Sequence, residues 1–155
     1  MRKLYSHLIL CLFLINIPLS LFAEINKDEL LEISVYKSRQ CGCCAKWIQH
    51  LEQNGFKVTA NNIENLSKLK DSHKIPKNYR ACHTAVIGQY IVEGHVPANI
   101  IKQLVNEQPL VKGITVPGMP VGAPGMESSD PDANQSYEVF SFSNDGEIKV
   151  YADIN

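Results

Sequence analysis

The sequence predicts an α/β domain, and three observations point to it. Short runs of alternating or β-branched apolar residues occur between segments whose apolar residues recur at helical spacing, and Gly, Pro or Asn stand at the joints. The predicted order is βαβ, α, ββα, followed by a loop rich in Pro, Gly and Met and a C-terminal β-hairpin. The 155 residues carry 15 Lys and Arg against 16 Asp and Glu. That near-neutral balance excludes a polybasic nucleic-acid binder and an acidic disordered chain.

The N-terminal segment stands apart from this pattern. Arg2 and Lys3 precede an apolar run over 8–17, and Pro18, Ser20 and Ala23 follow it. A charged start, a short apolar centre and a small residue before a cut describe a secretory signal, here 1–23. The run falls short of the ~20 apolar residues of a membrane span. Cys11 leaves with the signal, because Leu10 before it is bulky where a lipobox wants a small residue. The expected product is one exported domain over 24–155.

Within it, residues 31–36 alternate apolar and polar or β-branched side chains, which predicts a strand. Trp47, Ile48 and Leu51 place a helix over 44–54, stopped by Asn54-Gly55. A second strand is expected over 56–59. Ile63, Leu66 and Leu69 mark a short helix that ends before Pro76, and 85–87 and 90–92 form a pair of strands. Ile100, Ile101, Leu104 and Val105 give a last helix opened by Pro97. The stretch 116–126, Val-Pro-Gly-Met-Pro-Val-Gly-Ala-Pro-Gly-Met, suits neither helix nor central strand. Beyond a polar spacer, 137–142 and 148–154 alternate around Asn144-Asp145-Gly146, a hairpin signal.

Four cysteines remain after the signal: Cys41, Cys43, Cys44 and Cys82. An even count in an oxidising compartment ordinarily means structural disulfides. Here three lie within four residues and only one partner is distant, so two bridges would have to join members of the tight cluster. Cys41 and Cys44 meet disulfide geometry at a helix start, whereas adjacent Cys43 and Cys44 would need distortion. A strand that delivers Cys41-x-x-Cys44 to a helix N-terminus also favours thiolates, and such a junction serves redox dithiols and soft-metal sites alike. Cys43 and Cys82 discriminate between these uses. A disulfide reductase needs two thiols, and further thiolates add ligand capacity.

Cys82-His83-Thr84 leads into the strand expected beside the first, which would bring Cys82 to the cluster. His83 and His95 are the candidate imidazole ligands. His50 and His73 lack that convergence and are assigned to the surface, and Lys46 is assigned to solvent. Met119 and Met126 sit in the Pro/Gly loop, where thioethers suit Cu(I) and the loop could close over the site as a lid. Thiolate with imidazole also fits zinc, although no second Cys-x-x-Cys stands at finger spacing. No phosphate loop, Gly-x-Ser-x-Gly elbow or His-Glu-x-x-His occurs.

Four ordered motifs carry a resemblance. Cys41-Gly-Cys-Cys44, Ala81-Cys-His-Thr-Ala85, Val92-Glu-Gly-His-Val-Pro97 and the 116–126 stretch closely resemble the CopG-like bacterial periplasmic copper-resistance proteins, long catalogued as a metal-binding domain of unknown function. The match spans 31–127. The resemblance implies a thioredoxin-like central sheet with flanking helices, a periplasmic location, and copper held by Cys41, Cys43, Cys44 and Cys82. Thiolate bridging would let several Cu(I) ions share them, with His83, His95, Met119 or Met126 supplementing. Copper ions are then the partners, together with periplasmic copper donor or acceptor proteins, and neither nucleic acid nor, after signal cleavage, membrane is expected. The thioredoxin pattern itself is altered: Cys-Gly-Cys-Cys replaces Cys-Gly-Pro-Cys, and no proline lies over 82–85. In that superfamily the proline helps to keep metals off, which favours copper over the alternative, a thiol–disulfide oxidoreductase with Cys41 attacking and Cys44 resolving. Cycling between Cu(I) and Cu(II) fits the same ligands, and no residue by itself establishes turnover.

Overall fold

The computed structural model describes residues 30–155, so the expected signal, 1–23, lies outside the described residues. Strand β1 (Leu31–Lys37) buries Ile33, Val35 and Lys37 on one face. Helix α1 (Gly42–Gln53) follows, with Cys44, Trp47 and Leu51 buried along one stripe. It starts two residues earlier than its apolar periodicity predicts, because Cys41 takes the cap position in extended conformation and Cys43 and Cys44 join the first turn. Asn54 ends the helix and Gly55, at φ +83°, turns the chain back. Strand β2 (Phe56–Asn62) then runs parallel to β1.

Helix α2 (Leu66–Ser72) is capped by Asn65, whose side chain accepts the Lys68 N–H at 2.9 Å. Strands β3 (Thr84–Ile87) and β4 (Tyr90–Glu93) form a hairpin, and β3 lies antiparallel to β1 with Val35 opposite Ala85. Helix α3 (Ala98–Glu107) buries Ala98, Ile100, Ile101 and Leu104. A strand that the sequence did not announce, β5 (Gly113–Thr115), pairs parallel with β4. Its three residues are too few to show alternation. The C-terminal hairpin, β6 (Tyr137–Phe142) and β7 (Ile148–Ile154), completes a seven-stranded sheet of order β2-β1-β3-β4-β5-β6-β7.

This mixed α/β architecture, with its central sheet, flanking helices and C-terminal hairpin, is consistent with the thioredoxin-like arrangement that the resemblance implies. Trp47 and Leu51 of α1 and Ile100, Ile101 and Leu104 of α3 join Ile33, Val35, Ala85 and Val92 in one core. Ile91 and Val92 are successive strand residues and face opposite sides. Ile91 accordingly belongs to a second cluster, with Ile75 and Phe142. As expected, the 116–126 stretch forms no helix, and its only pairing with the sheet is at its first residue, where the Val116 N–H donates to the Glu93 carbonyl. Among the described residues no helix is long and apolar enough to cross a membrane.

Candidate metal centre

Parallel pairing of β1 with β2 and antiparallel pairing with β3 bring two chain segments to one end of the sheet. The first carries Cys41, Cys43 and Cys44 at the start of α1, and the second carries Cys82 and His83 just before β3. The four sulfurs lie within 4.8 Å of one another. Cys41 and Cys44 are joined as a disulfide with Cα atoms 5.4 Å apart, and Cys43 and Cys82 are free. The sequence predicts thiolates at the helix start, and in this redox state Cys41 and Cys44 carry none. A disulfide sulfur has no proton, so the contact of 3.5 Å between Cys43 and Cys41 is a weak S–H donation from Cys43. Cys43 Sγ lies 3.8 Å from Cys82 Sγ on its other side.

Cys82 belongs to a second donor group as well. Its sulfur lies 3.4 Å from His83 Nδ1 and 3.2 Å from His95 Nε2, and the three ligand atoms again fall within 4.8 Å of one another. His95 Nδ1 is 2.8 Å from the Pro124 carbonyl, which can only accept, so Nδ1 carries the proton and Nε2 presents its lone pair to Cys82. A backbone carbonyl that fixes the tautomer of a histidine is the usual support of a metal-ligating imidazole. His83 is fully buried between Trp47, whose ring centroid is 4.3 Å away, and His95, at 4.9 Å. Its Nε2 has no hydrogen-bond partner. A buried polar atom without a partner is costly, and this one belongs to the ring whose Nδ1 lies 3.4 Å from the Cys82 sulfur.

Burial governs the protonation of these groups. It pushes the His83 imidazole well below its ordinary value, helped by His95 and Lys70, and lowers His95 too, so both rings are held neutral. Burial, together with neighbouring Cys43, pushes the Cys82 thiol up to about 12. Cys82 sits on the loop before β3, off the helix that carries the other cysteines, half-buried against the Cys43 sulfur.

The Pro/Gly loop reaches the site, as a lid would. Gly125, at φ +85°, rests on the first turn of α1, where an added Cβ would stand 2.7 Å from the Cys43 carbonyl and 2.8 Å from the Trp47 nitrogen. Met126 adjoins this contact and is half-buried, and Met119 is 53% exposed. Trp47 Nε1 donates to the Val96 carbonyl at 2.9 Å and ties α1 to the segment that carries His95.

His50 is not the free surface residue that the sequence suggests. Its Nε2 accepts the Ala98 N–H at 3.1 Å and satisfies one orphan donor at the start of α3. His73 is half-buried behind α2, and Lys46 is exposed, as expected. Sequence reasoning also missed a buried ionic group beneath the donors, formed by Lys70, Thr84 and Glu93. A glutamate at the end of the apolar run 90–92 was the available signal.

Converging cysteine sulfurs and neutral imidazoles in a mixed α/β domain form a donor set of the soft-ligand class, one that could hold a metal ion. The chain is 43% identical to a solved structure titled copper resistance protein CopG, form 2, with 82% of this chain and all of that one covered at a TM-score of 0.77. Form 1 of the same protein gives 44% identity, coverage of 81% and 98%, and a TM-score of 0.75. The chain belongs to the CopG family. A family model described as a protein of unknown function, DUF411, matches residues 79–126. No curated protein sequence matches.

Proposed function

We propose that this chain is an exported, periplasmic copper-binding protein of copper resistance, which holds Cu(I) through Cys41, Cys43, Cys44 and Cys82. His83 and His95 supplement the sulfurs, and Met126 and Met119 add thioethers from the loop. The observation that carries this reading is the convergence on Cys82 of a four-sulfur group and a two-imidazole group, one imidazole having a buried Nε2 without a partner. Neutral imidazole and thiolate are the forms that bind a soft ion. Each Cu(I) that binds a thiol displaces its proton, and the Cys41–Cys44 disulfide must first take up two electrons from a reductant before all four sulfurs can serve. Bridging by thiolates would let the four sulfurs hold more than one ion. The same ligands would allow cycling between Cu(I) and Cu(II).

The Cys41–Cys44 disulfide favours a second reading, a thiol–disulfide oxidoreductase, and one experiment separates the two. An anaerobic Cu(I) titration of the reduced protein against a chromophoric chelator, with Cys43→Ser and Cys82→Ser variants beside it, reads stoichiometry and affinity. Uptake of more than one copper, reduced in both variants, is expected. Weak uptake unaffected by either substitution, with disulfide reductase activity intact in both variants, would replace copper binding by the oxidoreductase.

A further inference from the structure

Lys70 is the one buried residue of α2, and its Nζ donates to Thr84 Oγ1 at 2.9 Å and to Glu93 Oε1. Glu93 is fully buried and uses both carboxylate oxygens. One oxygen accepts the Ala81 N–H at 2.7 Å, and the other accepts the Thr84 hydroxyl at 2.6 Å. Ala81 and Thr84 flank Cys82 and His83, so a single carboxylate holds both ends of the dipeptide that presents two donors. The third donor follows from the same residue. His95 lies two positions beyond Glu93, and between them Gly94, at φ +76°, donates its N–H to the His83 carbonyl at 3.1 Å. An added Cβ at Gly94 would stand 2.4 Å from the Val116 carbonyl and 2.6 Å from Ala81 Cβ, so this turn is closed tightly onto the donor segment.

A buried ion pair is weak evidence of stabilisation, since well-packed apolar residues often replace one at no loss. Its better-attested use is to fix one arrangement among several. We infer that Lys70, Thr84 and Glu93 form a buried clamp that positions Cys82, His83 and His95 for the metal. They are positioning residues: none touches the ion, and each acts through the backbone that carries a donor. The inference rests on the copper reading above and adds to it the device that sets the donor geometry.

Three variants test it: Thr84→Val, which removes the hydroxyl at nearly constant volume, Glu93→Gln, and the double apolar replacement Lys70→Met with Glu93→Met. Each is compared with wild type for cooperative melting, for Cu(I) affinity against a chelator, for the thiolate-to-copper charge-transfer spectrum, and for the rate of Cys82 alkylation in the metal-free protein at one fixed pH. Folded variants are expected to lose at least tenfold in Cu(I) affinity, to shift the spectrum, and to label Cys82 at least threefold faster. Thr84→Ser should restore all three readouts. Folded variants with wild-type affinity, spectrum and labelling would overturn the clamp, and so would the failure of all three variants to fold, which would assign the group to the fold. A wild-type protein that binds no copper while the variants still label Cys82 faster would remove the copper reading and leave the positioning role standing.

Discussion

Cys82 is the residue where the sulfur group and the imidazole group meet, and its environment makes a testable statement about reactivity. Burial and the adjacent Cys43 push its thiol up to about 12, so it is protonated at neutral pH and only a small thiolate fraction is available to an alkylating agent. An unshifted thiol near pKa 8.5 reaches its full rate by about pH 9.5. The alkylation rate of Cys82 in the metal-free protein with the Cys41–Cys44 disulfide intact should instead keep rising about tenfold per pH unit from pH 8 to 11. Iodoacetamide labelling followed by mass spectrometry measures this, and a plateau at pH 9 would refute the raised value. At this scale the sequence was informative where spacing carries meaning: Cys-Gly-Cys-Cys, Cys82-His83 and His95 could be named as one site, and the fold brings these six residues together. Lys70 was illegible because its helix reads Leu-Ser-Lys-Leu-Lys-Asp-Ser, in which nothing distinguishes a buried lysine from the exposed one at Lys68. The role of His50 as acceptor for the start of α3 depends on a contact 48 residues away, which no local pattern encodes.

Elements place these residues, and the loop over 116–126 does so without regular structure. Gly125 allows its backbone to lie against the first turn of α1, and Pro124 next to it fixes the tautomer of His95. Gly125→Ala would meet two backbone atoms under 3 Å away and would also have to adopt φ +85°, a conformation that costs a residue with a Cβ roughly 1–2 kcal/mol. The expected result is a loss of roughly 1–3 kcal/mol in stability and weaker Cu(I) binding, because the loop must lift and release the His95 Nδ1–H. Denaturant melts and chelator competition on the variant check both. An unchanged Cu(I) affinity in a destabilised variant would separate the loop from the metal site. Elements with clear periodicity were legible to within a few residues, as α3 and both hairpin strands illustrate. The start of α1 was missed because its first turn is Gly-Cys-Cys, which carries no apolar stripe, and β5 was missed because three residues held by neighbours on both sides need no pattern of their own.

The whole sheet divides the labour between its two ends. The donors stand where β1, β3 and the start of α1 meet, and β6 lies three strands beyond β3, about 14 Å at ordinary strand spacing. Phe142, at the end of β6, is 1% exposed and packs with Ile75 and Ile91 on the opposite side of the sheet from the Trp47 core. Removing a buried phenylalanine side chain costs roughly 3–5 kcal/mol, which for a chain of this size lowers the melting temperature by roughly 10–20 °C. Domains are stable by only ~5–15 kcal/mol, so the loss is large but compatible with a folded variant. Phe142→Ala should therefore melt much earlier than wild type while the reduced variant, below its melting point, takes up the same number of Cu(I) ions with the same affinity. Thermal melts and the anaerobic titration read the two quantities separately. A fall in copper stoichiometry alongside the fall in stability would show that the distant hairpin holds the donor geometry, whereas stability loss alone would show that the C-terminal strands support the domain and leave the candidate metal centre to β1, α1, α2, β3, β4 and the loop that covers them.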